Sequence, residues 1–221
     1  MTKVVTVKRR ALAANEERAE RLRARFAASG TLVANLISSP GSGKTTLLEA
    51  TVRALEGELT TAVIEGDVAT ENDADRIRAL GVPAHQILTG GACHLDARLV
   101  ETGIEDGGLP EVDILFIENV GNLVCPAEFD TGAIKSAMIL SVPEGDDKPL
   151  KYPLMFTVCD VLLVNKIDYL ELSDFDMEAM RERVLRLNPD IRIFEICAKT
   201  GEGVDEWAAW LSREATSFIR G

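Results

Sequence analysis

With 221 residues, of which 46% are hydrophobic, the chain is long enough to bury one substantial core, and no apolar run approaches the roughly 20 residues of a membrane span. The formal net charge of −12 argues against nucleic acid as a principal partner, and Met1-Thr2-Lys3-Val4-Val5 has none of the features of a secretory signal. Four cysteines, Cys93, Cys125, Cys159 and Cys197, lie far apart and read as thiols rather than structural disulfides, so the expected location is the cytoplasm with no membrane partner.

The charge is unevenly spread. Residues 1–28 carry eight Lys/Arg against three Glu, a net of +5, which leaves −17 for the remainder. Between Arg10 and Phe26 the apolar residues Leu12, Ala19, Leu22 and Phe26 recur at helical spacing, and Ser29-Gly30 supplies a stop. Residues 1–29 are therefore predicted to be a basic helical extension packed on the acidic domain formed by residues 30–221. A partner-docking arm is the competing reading of that helix.

The apolar run Leu32–Ile37 then delivers Ser38-Ser39-Pro40-Gly41-Ser42-Gly43-Lys44-Thr45-Thr46, followed by a helical segment from Leu47 to Leu55. Strand, glycine loop and helix in that order form a P-loop, with Ser38 where the first glycine usually stands. Backbone N–H groups of Gly41, Ser42, Gly43 and Thr46 would surround a polyphosphate, Lys44 would bridge the terminal phosphates, and Thr45 would ligate magnesium. The Lys44 side chain, on this reading, faces ligand and supports no core.

Two carboxylates follow at strand ends. Thr61–Ile64 leads into Glu65-Gly66-Asp67, and Val112–Ile117 leads into Glu118-Asn119-Val120-Gly121. Glu118 is the candidate magnesium-side acid, and the Gly121 N–H is placed to meet a γ-phosphate. Asp67 either completes the magnesium shell, orients the attacking water, or is an exposed loop acid. No glutamine or arginine identifies itself as a water-positioning group, so slow turnover is expected.

Between those strands, a helix is predicted near 71–80 and a strand near 84–88. Thr89-Gly90-Gly91-Ala92 then brings Cys93-His94 ahead of a helix at 94–105, and Cys125 follows Gly121 by four residues. Two thiolates and an imidazole suit zinc or nickel far better than magnesium or calcium. Neighbouring residues on an extended chain point apart, so a symmetric second copy is expected to help complete the shell, and three ligands leave a fourth position for transfer. His85 reads as a surface or packing residue, and Cys159 and Cys197 read as structural.

A strand near 137–142 precedes Pro143–Pro149, which reads as an exposed loop. Val161–Val164 then delivers Asn165-Lys166-Ile167-Asp168 at its carboxyl end. Guanine offers two donors that Asp168 can accept together, whereas adenine has no such pair. After a helix near 176–188, the strand Ile191–Ile196 ends in Cys197-Ala198-Lys199-Thr200-Gly201, like a Ser-Ala-Lys loop in which the Ala198 N–H meets guanine O6 beside Lys199. A last helix is predicted at 203–218. The whole is an α/β, three-layer P-loop NTPase fold with a mostly parallel, doubly wound sheet.

These motifs together resemble the nickel-incorporation GTPases of hydrogenase maturation, the HypB-type family. The resemblance rests on residues 38–46, Glu65-Gly66-Asp67, Gly90-Gly91-x-Cys93-His94-Leu95, Glu118-Asn119-x-Gly121-Asn122-Leu123-Val124-Cys125-Pro126, Asp147–Pro153 and Asn165–Asp168. It implies a GTPase cycling between GTP and GDP with Mg2+, in which Cys93, His94 and Cys125 bind Ni2+ or Zn2+. It further implies a homodimer that works with a small zinc-containing accessory protein to supply nickel to the large subunit of nickel–iron hydrogenase. Residues 1–28 hold neither cysteine nor histidine, so the amino-terminal nickel site of some members has no counterpart there. The rival readings are a related GTPase chaperone serving urease or a cobalamin-dependent mutase, and a metal-storage protein with an inert nucleotide site.

Overall fold

The computed structural model describes residues 3–67 and 72–220. In chain order the elements are α1 (Lys3–Ser29), β1 (Leu32–Ser38), α2 (Lys44–Ala54), β2 (Thr61–Asp67), α3 (Asn72–Arg78), β3 (Ala84–Leu88) and α4 (Ala97–Gly107). Then come β4 (Ile114–Glu118), α5 (Cys125–Glu128), β5 (Lys135–Ser141), α6 (Lys148–Lys151), α7 (Pro153–Val158), β6 (Val161–Asn165), α8 (Met177–Leu187), β7 (Arg192–Glu195) and α9 (Val204–Arg220).

The seven strands form one sheet in the order β3-β2-β4-β1-β5-β6-β7, and every pairing is parallel. Alternation along β1 explains the three layers. Leu32, Ala34 and Leu36 pack with Leu47 and Leu48 of α2 and Trp207 and Leu211 of α9, while Val33 meets Leu22, Phe26 and Val100 on the opposite face. Ile37 continues that second face toward Phe156 and Val184. The chain leaves β1 for β2 on one side and crosses from β4 to β5 on the other, so β1 marks the reversal in strand order. Ligands of open α/β sheets sit at the carboxyl ends beside such a reversal.

The basic helix lies on the sheet. Ala19, Leu22 and Phe26 are buried, Arg23 pairs with Asp130 at 2.8 Å, and Arg18 pairs with Glu101 at 3.4 Å. Asn15 adds a fixed joint, donating to the Asp130 carbonyl at 2.8 Å and accepting from Ala97 N at 2.9 Å. Gly30 ends the helix with φ 68°.

Two expectations need correction. α4 begins at Ala97 rather than residue 94, because Asp96 caps it by accepting from Leu99 N at 2.8 Å. Residues 143–149 are not an open loop. Val142–Glu144 forms a 3-10 turn in which Glu144 reaches back to Ser141, with Val142 and Pro149 buried, and the chain continues into α6 and α7. No helix among the described residues is long and apolar enough to cross a membrane.

Candidate functional site

A cleft of about 430 Å³ at the carboxyl edge is lined by residues 38–46 together with Asp67, Asp73, Arg76, Glu118, Val120 and Gly121. Its glycines answer specific demands. Gly41 and Gly43 have φ 77° and 93°, and a Cβ on Gly43 would lie 2.7 Å from Asn165 Nδ2. Gly121 backs against Pro40, where a Cβ would approach its ring to 3.1 Å.

Lys44 does more than face the cleft. Its Nζ lies 2.9 Å from Glu118 Oε1, and the same oxygen accepts from Thr45 Oγ1 at 2.8 Å. The other Glu118 oxygen is buried without a protein partner, as are Glu65 Oε1 and Ser42 Oγ. Burial first, then the charge of Glu118, pushes Glu65 well above the ordinary carboxylate range. Buried oxygens from Glu118 and Thr45, with the Asp67 carboxylate on the same cleft, are the hard donors that magnesium prefers.

Arg76 is a cleft residue that the sequence did not reveal. Its guanidinium grips Glu49 through two bonds of 2.9 and 3.0 Å and reaches Thr46 Oγ1 at 3.3 Å. Glu49 raises its pKa above the usual arginine value. Nothing local in Asp75-Arg76-Ile77 distinguishes this arginine from a solvated one, because apart from Asp73, three residues earlier, its partners lie 27 and 30 residues away.

At the base-reading end, Asn165 braces the loops, donating to Ser42 O at 2.8 Å while its Oδ1 accepts from Lys166 N and Ala198 N at 2.8 and 3.0 Å. The Ala198 N–H, expected to meet guanine O6, is thus given to Asn165 instead. Lys166 adopts φ 62°, unlike any other non-glycine among the described residues, and its Nζ donates to Gly41 O at 2.7 Å. Asp168 and Lys199 are exposed at the same edge. Buried Cys197 lies with its thiol 3.3 Å from Asp168 Oδ1. Cys159 is buried, and desolvation raises its thiol far above the normal range. His85 packs on Gly107.

Cys93, His94 and Cys125 meet within one chain. Their ligand atoms all lie within 4.8 Å of one another, with the two sulfurs 2.6 Å apart and Cys93 Sγ 3.7 Å from His94 Nδ1. A single chain thus brings the three groups together although neighbouring side chains on an extended chain would point apart. Gly90 and Gly91, at φ 60° and 108°, turn the loop so that adjacent side chains converge. Bonds of about 2.3 Å to a tetrahedral ion would spread the sulfurs by roughly 1 Å.

Neighbouring groups tune the trio. His94 stacks on Phe129 with centroids 3.9 Å apart, and desolvation lowers its pKa, favouring the neutral imidazole that can ligate. Cys125 is raised chiefly by its hydrogen bond with Cys93. Its N–H is held by Asn122 Oδ1 at 3.2 Å, which fixes the start of α5.

Residues 32–195 match the family described as CobW/HypB/UreG, nucleotide-binding domain. The chain is 50% identical to the hydrogenase maturation factor HypB of Azotobacter chroococcum mcd 1 over 224 residues, covering 99% of this chain and 72% of that protein. Against the HypB of Escherichia coli strain K12 it is 52% identical over 200 residues, 90% of this chain and 69% of that protein. The crystal structure of HypB from Helicobacter pylori in complex with nickel superposes with a TM-score of 0.86 at 41% identity, covering 92% of this chain and 96% of that one. A P-loop cleft and a Cys-Cys-His cluster on one sheet edge, together with identity over nearly the whole chain, place this protein in the HypB family of hydrogenase maturation factors.

Proposed function

We propose that the chain is a GTP-hydrolysing nickel carrier. It binds GTP and magnesium in the cleft at residues 38–46, holds Ni2+ or Zn2+ on Cys93, His94 and Cys125, and passes nickel toward the large subunit of nickel–iron hydrogenase. The observation that carries this reading is the convergence of those three ligands at the end of the turn that starts at Glu118. Their fourth position stays open for a second copy or for a small zinc-containing accessory protein.

In the cleft, Lys44 and the loop N–H groups hold the terminal phosphates, and Thr45, Glu118 and Asp67 are the oxygen donors for magnesium. When bound, that ion neutralises charge on the transferring phosphoryl group. Lys44 must leave Glu118 to do its part, so phosphate binding exchanges one buried ion pair for another. Asp168 reads the guanine donors, with Lys166 and Lys199 bordering the base.

Nickel titration and steady-state GTP turnover of the wild type, Cys93→Ala and Cys125→Ala test the reading. Wild type is expected to bind nickel and hydrolyse GTP slowly, with each alanine variant losing nickel affinity and keeping monomer GTP affinity. Unchanged nickel affinity and stoichiometry in both variants would remove the basis for nickel carriage, and absent turnover would leave a metal-binding protein with an inert nucleotide site.

A further inference from the structure

We infer that Asn119 and Leu95 form the joint through which the nucleotide cleft and the Cys93–His94–Cys125 cluster respond to each other; the inference rests on the GTP and nickel reading above. Asn119 is fully buried in the turn after β4. Its Oδ1 accepts from Val120 N at 3.0 Å and from Leu95 N at 2.9 Å, and its Nδ2 donates to Asn35 Oδ1 at 3.3 Å. One side-chain amide thus ties the phosphate-side turn to the first peptide N–H after His94.

Leu95 makes the second tie. It is fully buried and sits on Gly66, where a Cβ would lie 2.7 Å from its Cγ and Cδ1. Gly66 stands between Glu65 and Asp67, so the Leu95 seat exists only because that position has no side chain. The Cys93-His94 loop is therefore held by its backbone to the end of β4 and by its side chain to the end of β2. The third ligand, Cys125, leaves the same turn that begins at Glu118, through the Asn122 bonds.

Glu118 supplies the change that this joint transmits. One of its oxygens holds both Lys44 and Thr45. A triphosphate with magnesium claims both of those groups, so Glu118 must take new partners while Asn119, next in the chain, still grips Leu95. Close-packed interiors answer such a demand by discrete repacking rather than smooth deformation. Both metal-bearing loops then move with the turn, and linkage makes the effect reciprocal: nickel alters nucleotide affinity by the same factor.

Calorimetric titration with nickel ion alone, at fixed pH, compares the chain loaded with GDP against the chain loaded with magnesium and a non-hydrolysable GTP analogue. The wild type is expected to show dissociation constants that differ by about fivefold or more between the two states. Asn119→Ala and Leu95→Ala are expected to keep nickel stoichiometry while that ratio falls to within about twofold of one, and Leu95→Met, which refills the seat, to keep the wild-type ratio. Leu95→Val, a smaller loss, decides the matter if circular dichroism shows an alanine variant unfolded, and is expected to reduce the ratio. A wild-type ratio of one, or a folded Leu95→Ala or Leu95→Val chain with the full wild-type ratio, overturns the inference while leaving nickel carriage standing. A wild type that takes up no nickel overturns the functional reading itself, and the joint with it.

Discussion

At the scale of single residues, the cleft is organised around one carboxylate. Glu118 holds Lys44 and Thr45 and lies against Glu65, so Lys44 has a structural role that its place in a phosphate loop does not reveal. Lys44→Ala is expected to abolish GTP hydrolysis and also to destabilise the nucleotide-free chain by about 3 kcal/mol, because it strands a buried charge. Urea unfolding in EDTA beside a turnover assay checks both halves, and unchanged unfolding would show that the pair contributes nothing to stability. Glu65 predicts a pH dependence of opposite sense to that of most paired acids. Its folded pKa lies above the ordinary 4.5, so its contribution is fully present below that value and is lost as pH rises through the folded pKa. Melting temperatures of the nucleotide-free chain should therefore carry a component that falls from acid toward neutral pH, and Glu65→Gln should flatten it; parallel pH profiles for both chains would refute that assignment. At the other end of the cleft, Asp168→Asn turns one acceptor into a donor facing guanine's own donors. GTP affinity should drop by about 1.5–3 kcal/mol, with xanthosine triphosphate suffering less, and equal wild-type affinity for ATP would end the guanine assignment.

At the scale of elements, the amino-terminal helix is tied to the domain by more than its apolar stripe. Asn15 bridges the Asp130 carbonyl and the first N–H of α4, so Asn15→Ala should cost about 1–2 kcal/mol, read by thermal unfolding, without altering nucleotide affinity. A destabilisation near zero would mean that α1 is held by its apolar stripe and its Arg23 and Arg18 ion pairs without help from Asn15. This layer also shows where sequence reading succeeds and where it stops. Leu32–Ile37, Ile114–Ile117 and Val161–Val164 announce themselves because strands buried on both faces are nearly continuous apolar runs. The four-residue helices at Cys125–Glu128 and Lys148–Lys151 do not, since segments that short have no period to detect and are held by tertiary burial of Pro126 and Pro149. The candidate trio is legible in spacing and chemistry, yet its convergence within one chain, beside the left-handed glycines Gly90 and Gly91, is not. Asn119, Phe129 and Arg76 stay hidden for a common reason: each acts through a partner 24 to 84 residues away or across a loop, where no local pattern points to it.

At the scale of the whole molecule, one chain already gathers three ligands, so a second copy is expected to supply the fourth position rather than to assemble the first three. The proton count of metal binding tests this arrangement without reference to any partner. Desolvation keeps His94 neutral to lower pH than usual, and hydrogen bonding to Cys93 keeps Cys125 protonated to higher pH than usual. Metal ligates thiolate rather than thiol, so binding one nickel or zinc ion to both sulfurs should release up to about two protons. Affinity should weaken as pH falls, and Cys125→Ala should reduce the release to about one. Calorimetry in buffers of different ionisation enthalpy reads that number directly, and analytical ultracentrifugation of the same samples reads assembly. Metal should shift the chain toward the dimer, and added salt should assist, because two bodies of net charge −12 repel each other across any shared interface. Release of two protons by wild type and Cys125→Ala alike would exclude Cys125 from the metal shell. A metal-loaded chain that stays monomeric at every ionic strength would leave the fourth position to solvent or to the accessory protein.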